Sequence, residues 1–139
     1  MFLPVDLVFH PDWWHTHYGL SFDEPFHFDP RVRVESERRM RQALYDRFGD
    51  LGLGEADAKS RPVVGPVHLV IGFMVQAMLG CEVHYLPDAA PQVICANLTD
   101  EQVMALEVPD IETANLMRET IAMMDALETE YGYLEGDIP

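Results

Sequence analysis

The sequence predicts a helix-rich α/β domain with a few short strands. Three observations carry this. Apolar residues recur at helical spacing after Asp29 and after Pro109, and two short β-rich runs flank a five-residue link that holds two prolines. The 139 residues, 48% hydrophobic and 10% aromatic, are enough for one domain with a real core, and so apolar a composition excludes a disordered chain. Two regions are expected: an aromatic- and histidine-rich arm over residues 1–29, then a helical and short-strand region over residues 30–139.

The arm holds Phe2, Phe9, Trp13, Trp14, Tyr18, Phe22, Phe26 and Phe28, with His10, His15, His17 and His27 among them. Pro4, Pro11, Pro25 and Gly19 interrupt any sustained period, so an ordered but irregular segment that packs its rings onto another element is expected. Asp29-Pro30 is a helix start, with the Asp side chain free to accept orphan amides and proline tolerated in the first turn. Val32, Met40, Ala43, Leu44 and Phe48 give a partial stripe, and Gly49 is expected to close the helix. Residues 50–62 read as a polar loop. A second helix, residues 66–79, is apolar on most sides and so expected to be buried, with Gly80 as its stop.

Glu82 to Leu86 and Gln92 to Ala96 are the short strand candidates, a plausible pair whose register the longer link leaves open. Thr99, with Gln102 three residues on, marks a short helix to about Leu106. Pro109 interrupts, and a long helix follows from Ile111 to Tyr131. Its expected inner row is Ala114, Met117, Ile121 and Met124, widened by Leu116, Met123 and Leu127, with Gly132 as the stop. Tyr133 to Pro139 then reads as a strand in search of neighbours, so the chain is expected to work within a larger assembly.

The net charge of −15 argues against nucleic acid as a partner, because a polyanion would be repelled. No apolar run approaches the roughly 20 residues that span a bilayer, and the N-terminus carries no secretory pattern, so no membrane partner is expected. Two cysteines, Cys81 and Cys95, outside any C-x-x-C arrangement, fit reduced thiols and a cytoplasmic location. Cys95 sits in an apolar run and is expected in the core.

Charge is unevenly spread. Six of the nine basic residues are arginines between positions 31 and 47, whereas residues 100–139 carry eleven acids against Arg118 alone. Two readings stand. One is a solvated helix face with i,i+4 pairs such as Glu35 with Arg39 and Glu37 with Arg41. The other is an Arg-bearing helix that meets an anionic small molecule through Arg31, Arg33, Arg38 and Arg41, with Trp13 and Trp14 stacking on it.

His10, His15 and His17 are candidate ligands for a divalent transition metal. On an extended segment, His15 and His17 would present both rings to one side. If Pro11 opens a helical turn, His10, Trp14 and His17 share a face and His15 is lost. Packed or surface histidines are the plain alternative. Cys81 with His84 would face opposite sides of a strand. Glu135 and Asp137 would share a strand face as an acid/base pair or simply solvate a chain end. Met74, Met78, Met117, Met123 and Met124 read as core fillers. Phosphate-loop, dinucleotide and nucleophile-elbow motifs are all missing.

The order of pieces from Gly80 onward resembles the N-terminal part of the uroporphyrinogen decarboxylase-like superfamily, which includes corrinoid-dependent methyltransferases. The matching pieces are Gly80-Cys81-Glu82-Val83, Pro87-Asp88-Ala89-Ala90-Pro91, Leu98-Thr99-Asp100 and Pro109-Asp110-Ile111, with Tyr133 to Pro139 as an opening barrel strand. The resemblance implies the N-terminal portion of a (β/α)₈-barrel-like protein, completed by another protein chain or a missing barrel half. It further implies a tetrapyrrole, a corrinoid cofactor or a methylated small molecule as ligand, for decarboxylation or methyl transfer. The family's zinc-binding His and Cys set has no counterpart here and its catalytic Asp finds no match, so no catalytic residue is carried over. The rivals are a free-standing metal-binding module built on the histidines and a structural interaction domain.

Overall fold

The computed structural model describes residues 8–56 and 73–133. Helices dominate these residues, and a single two-stranded ladder accompanies them. The content is mixed, as expected, and no barrel is formed among the described residues. Tyr133 itself is described, but the strand expected from it lies mostly outside, as does the expected helix before residue 73.

The arm is more regular than its sequence suggested. Helix α1 spans Pro11–Tyr18 and helix α2 spans Glu24–Phe28. Proline in the first turn supplies a ready φ, and Gly19, at φ 61°, closes α1 by donating its amide to the His15 carbonyl. Both helices are short, so packing rather than intrinsic propensity holds them. Trp14, Leu20, Phe22 and Phe26 are buried against Ala43 of the next helix. Among the described residues the rings thus build a core of their own instead of lying on a finished one.

Helix α3, Pro30–Phe48, starts where its cap predicts: the Asp29 carboxylate accepts from the amides of Arg31 and Val32. Its end differs from expectation. Gly49 stays right-handed and a 3-10 turn continues over Gly49–Leu51, so the left-handed glycine is Gly52, at φ 81°. The chain then folds back on α3, where Gly54 holds φ 73° and the Glu55 amide donates to the Arg41 carbonyl at 3.2 Å. A Cβ at Gly54 would overlap the backbone of Tyr45 and Arg41. Gly54→Ala is therefore expected to lift residues 52–56 off α3 at a cost of about 1–2 kcal/mol. Hydrogen exchange at the Glu55 amide measures it, and unchanged protection would contradict the close approach.

Helix α4, Met74–Met78, is a single turn whose Met74 is buried while Val75 is 61% exposed, so its described part is not covered on all sides. Gly80, at φ 89°, follows as the expected stop. Strands β1, Val83–His84, and β2, Gln92–Val93, pair antiparallel with Val83 opposite Val93. They are shorter than the β-rich runs that contain them. The link between them is tied to the arm, since the Phe22 amide donates to the Pro87 carbonyl at 3.0 Å.

Helix α5, Asp100–Met104, carries the expected reciprocal cap between Thr99 and Gln102. The Glu101 carboxyl is drawn below its ordinary range, first by its own backbone amide and then by the Thr99 hydroxyl. Helix α6, Asn115–Tyr131, begins later than expected because Asp110 first organises a turn: its side chain accepts from the Glu112 amide and its carbonyl from those of Thr113 and Ala114. Gly132, at φ 73°, ends α6, and the Tyr133 amide returns to the Leu127 carbonyl at 3.0 Å.

The inner face of α6 is rotated from the predicted row. Thr120, Met123 and Leu127 are buried with Leu116 beside them, whereas Ile121 is 45% exposed. Met123, Leu127 and Tyr133 close on Val34 of α3, forming the second core. Helix α3 is thus the wall common to both clusters. Among the methionines read as fillers, Met74 and Met123 are buried and Met78, Met117 and Met124 half-buried. Cys95 is exposed, contrary to expectation, because the strand ends at Val93 and the chain beyond it runs along the surface.

Candidate functional site

The arginines of α3 do not converge. At about 100° per residue, positions 31, 33, 38, 39, 41 and 47 spread around the helix rather than along one line. Arg33 points inward, is 5% exposed, pairs with Glu37 at 2.9 Å and lies 4.4 Å over the Phe26 ring. An i,i+4 pair does form on this helix, but it joins Glu37 to Arg33, one turn before it, and is neither of the two expected pairs. Arg31 is exposed at the helix start, and Arg47 covers Trp13 and Phe48. Trp14 is buried in the core and cannot stack on a ligand, while Trp13 is half-buried in the aromatic cluster.

One part of the arginine set does line a cavity. A groove of about 450 Å³ runs between the end of α1 and α3, lined by Tyr18, Arg38, Arg39 and Gln42 together with Glu35, Ala43 and Asp46. The Arg39 guanidinium donates to the Tyr18 carbonyl at 2.7 Å, which fixes the end of α1 against the groove. Asp46 is held by the Gln42 amide at 2.9 Å. The wall therefore offers two guanidinium groups, two carboxylates and one aromatic ring. Of the six residues singled out as ligand contacts, only Arg38 lies here. Arg39 was missed because charge spacing alone does not say which helix face the arm leaves open.

The histidines also separate. Helix α1 rules out the extended H-x-H arrangement: His10 precedes the helix, and the His15 Nδ1 lies 2.8 Å from the Leu20 carbonyl. His17 stacks near Trp13 at 5.1 Å. Among the described residues, no group of three His, Cys, Asp or Glu side chains is placed to hold a metal ion. His84 engages Glu82 at 2.7 Å on the surface, apart from any role with Cys81. Glu135 and Asp137 lie outside the described residues.

A site that the sequence reading passed over is His27. It is buried between α2, α4 and α6, surrounded by the rings of Phe26, Phe28, Phe73 and Tyr85. Its Nε2 lies 3.1 Å from the Phe22 carbonyl, which can only accept, so Nε2 carries the proton and Nδ1 is a bare acceptor. Nδ1 is buried without a hydrogen-bond partner among the described residues. Burial first, then the Arg33 charge, lowers its pKa to about 4. A small cavity of about 10 Å³ lies against it, with Thr120 and Met123 on the far wall. The beside-lying Tyr85 phenol is pushed up, by burial first and then by Glu24 and Glu119. The Phe26-His27-Phe28 run was the available signal, since a histidine between two rings in so aromatic a stretch is prone to burial.

No helix among the described residues is long and apolar enough to cross a membrane. Compared with protein-family models, curated proteins and solved structures, the chain matches none.

Proposed function

We propose that this chain is the N-terminal, mostly helical part of a uroporphyrinogen decarboxylase-like protein and helps to hold an anionic ligand, a tetrapyrrole, a corrinoid or a methylated small molecule, for decarboxylation or methyl transfer. The barrel that would carry the chemistry belongs to another chain or to further sequence. Support for the family is the order of segments from Gly80 to Pro139. Support for the ligand class is one structural observation: Arg38 and Arg39 both line the groove, together with Tyr18.

In that groove the two guanidinium groups meet ligand carboxylates through charge-assisted hydrogen bonds, with Tyr18 as an apolar wall. Glu35 and Asp46 weaken the attraction for a bare anion and favour a ligand whose acidic groups are spaced to reach both arginines. This replaces Arg31, Arg33, Arg41 and Trp14 as expected contacts, because those residues lie away from the groove. Trp13 keeps a role as reporter, its ring centroid 5.4 Å from that of Tyr18.

Titration with a carboxylated porphyrin and, separately, with cobyrinic acid, a corrinoid whose side chains are free carboxylates, tests the reading by tryptophan fluorescence corrected for absorbance. Saturable quenching by one of them is expected, weakened about tenfold or more in Arg38→Ala/Arg39→Ala, since two charge-assisted bonds are lost. An unchanged signal, or equal quenching in the double variant, would remove the proposal.

A further inference from the structure

Residues 94–111 form a surface that the other described residues leave uncovered. Ile94, Leu98, Val103, Met104, Leu106, Val108 and Ile111 are all at least 40% exposed, with Met104 at 86% and Val108 at 94%. Single exposed apolar residues are ordinary, but seven within eighteen positions, on one continuous stretch, mark a surface built to be covered. The stretch is not a loose tail. The cap between Thr99 and Gln102 organises α5, and the turn at Asp110 organises its far end, so the apolar side chains project from a prepared backbone.

The border of this surface is acidic. Asp100, Glu101, Glu107, Asp110 and Glu112 are exposed along it, and no Lys or Arg occurs between positions 94 and 117. We infer that residues 94–111 dock a different protein chain, one that presents an apolar face flanked by lysines or arginines. Charge complementarity selects this occupant. A second copy would bring two acidic borders together on molecules that each carry −15, which opposes self-association. The inference uses none of the groove residues and stands or falls apart from the ligand proposal.

The probe is an amphipathic helical peptide with a leucine stripe and lysines on its other face, compared with the same peptide carrying glutamates, both followed by fluorescence anisotropy on the full chain. Binding of the lysine peptide and not of the glutamate peptide is expected. The deciding variant is Met104→Glu/Val108→Glu. Its added negative charge would strengthen a merely electrostatic attraction, whereas loss of the apolar contacts is expected to weaken binding about tenfold. Both positions are so exposed that the fold should stay intact, and circular dichroism checks this. Equal or tighter binding by the variant overturns the inference. So does a dimer seen by sedimentation that Met104→Glu dissociates, because it would make a second copy the occupant.

Discussion

Leu127→Ala is expected to destabilise the protein by about 3–4 kcal/mol, lowering its melting temperature by about 10–15 °C. Leu127 is fully buried on α6 and closes one core with Val34, Met123 and Tyr133. Truncation removes four side-chain carbons' worth of burial less one methyl and leaves a void between α3 and α6. Little can collapse into it, since Tyr133 is pinned by its amide to the Leu127 carbonyl and Val34 by the capped helix α3. Leu127→Met, which keeps the volume, should cost less than about 1.5 kcal/mol. Urea unfolding of the three proteins measures the difference. A loss below about 1 kcal/mol for the alanine variant would mean that α3 and α6 do not share a tight core.

Leu127 itself was legible in the sequence as an inward residue, yet its neighbours were only half so. The predicted row of Ala114, Met117, Ile121 and Met124 is a real helical line, but α6 centres its inner face on the residues expected only to widen it, Leu116, Met123 and Leu127, with Thr120 among them. Nearly every turn of this helix offers an apolar residue on two sides, so periodicity defines a wide stripe and packing against α2, α3 and α4 selects its centre. Thr120 could be buried at low cost because its hydroxyl donates to the Leu116 carbonyl at 2.8 Å. Nothing in a binary apolar/polar pattern registers that bond.

Local signals read better than faces. Asp29, Thr99, Gly80 and Gly132 each act through a few neighbouring backbone groups, and each does what its residue type predicts. Gly49 is the instructive exception. A glycine permits a left-handed turn without requiring one, and the contacts of the following residues with α3 carry the chain three positions further, to Gly52. The candidate site follows the same rule. That α3 is rich in arginine was plain, but which arginines face solvent, core or groove depends on where the arm lies, and the arm's own helices formed only with that packing. Arg33 is the clearest case. Counted as a ligand contact from its charge, it is turned inward to Glu37 and Phe26.

Burial of a charge-bearing group also gives the second large effect, an acid-induced loss of stability centred on His27. Its pKa in the folded protein is about 4 against an ordinary 6.5. As pH falls below 6.5 the unfolded chain takes up the proton first, so stability falls with pH across the window from 6.5 to 4 and the penalty is complete below it. The loss approaches about 2–3 kcal/mol, taking 1.36 kcal/mol for each pKa unit and allowing for partial screening. The physical cause is that protonation places a second N–H at Nδ1, which is buried with no hydrogen-bond partner among the described residues. Arg33 adds repulsion in the same direction, whereas the Phe22 carbonyl and Asp23 partly favour the cation. Tyr85, against His27, stays neutral throughout this range, with Glu24 and Glu119 acting on it rather than relieving the histidine. The carboxylates of so acidic a chain also titrate near the lower end of the window, so the informative quantity is a difference. His27→Gln keeps a donor for the Phe22 carbonyl and cannot titrate. Its stability relative to the parent should rise by about 2–3 kcal/mol between pH 7 and pH 4, and the His27 ring resonance should titrate near 4 by NMR. Parallel pH profiles, or a midpoint near 6.5, would show that His27 reaches water and that α2 does not seal it against α6.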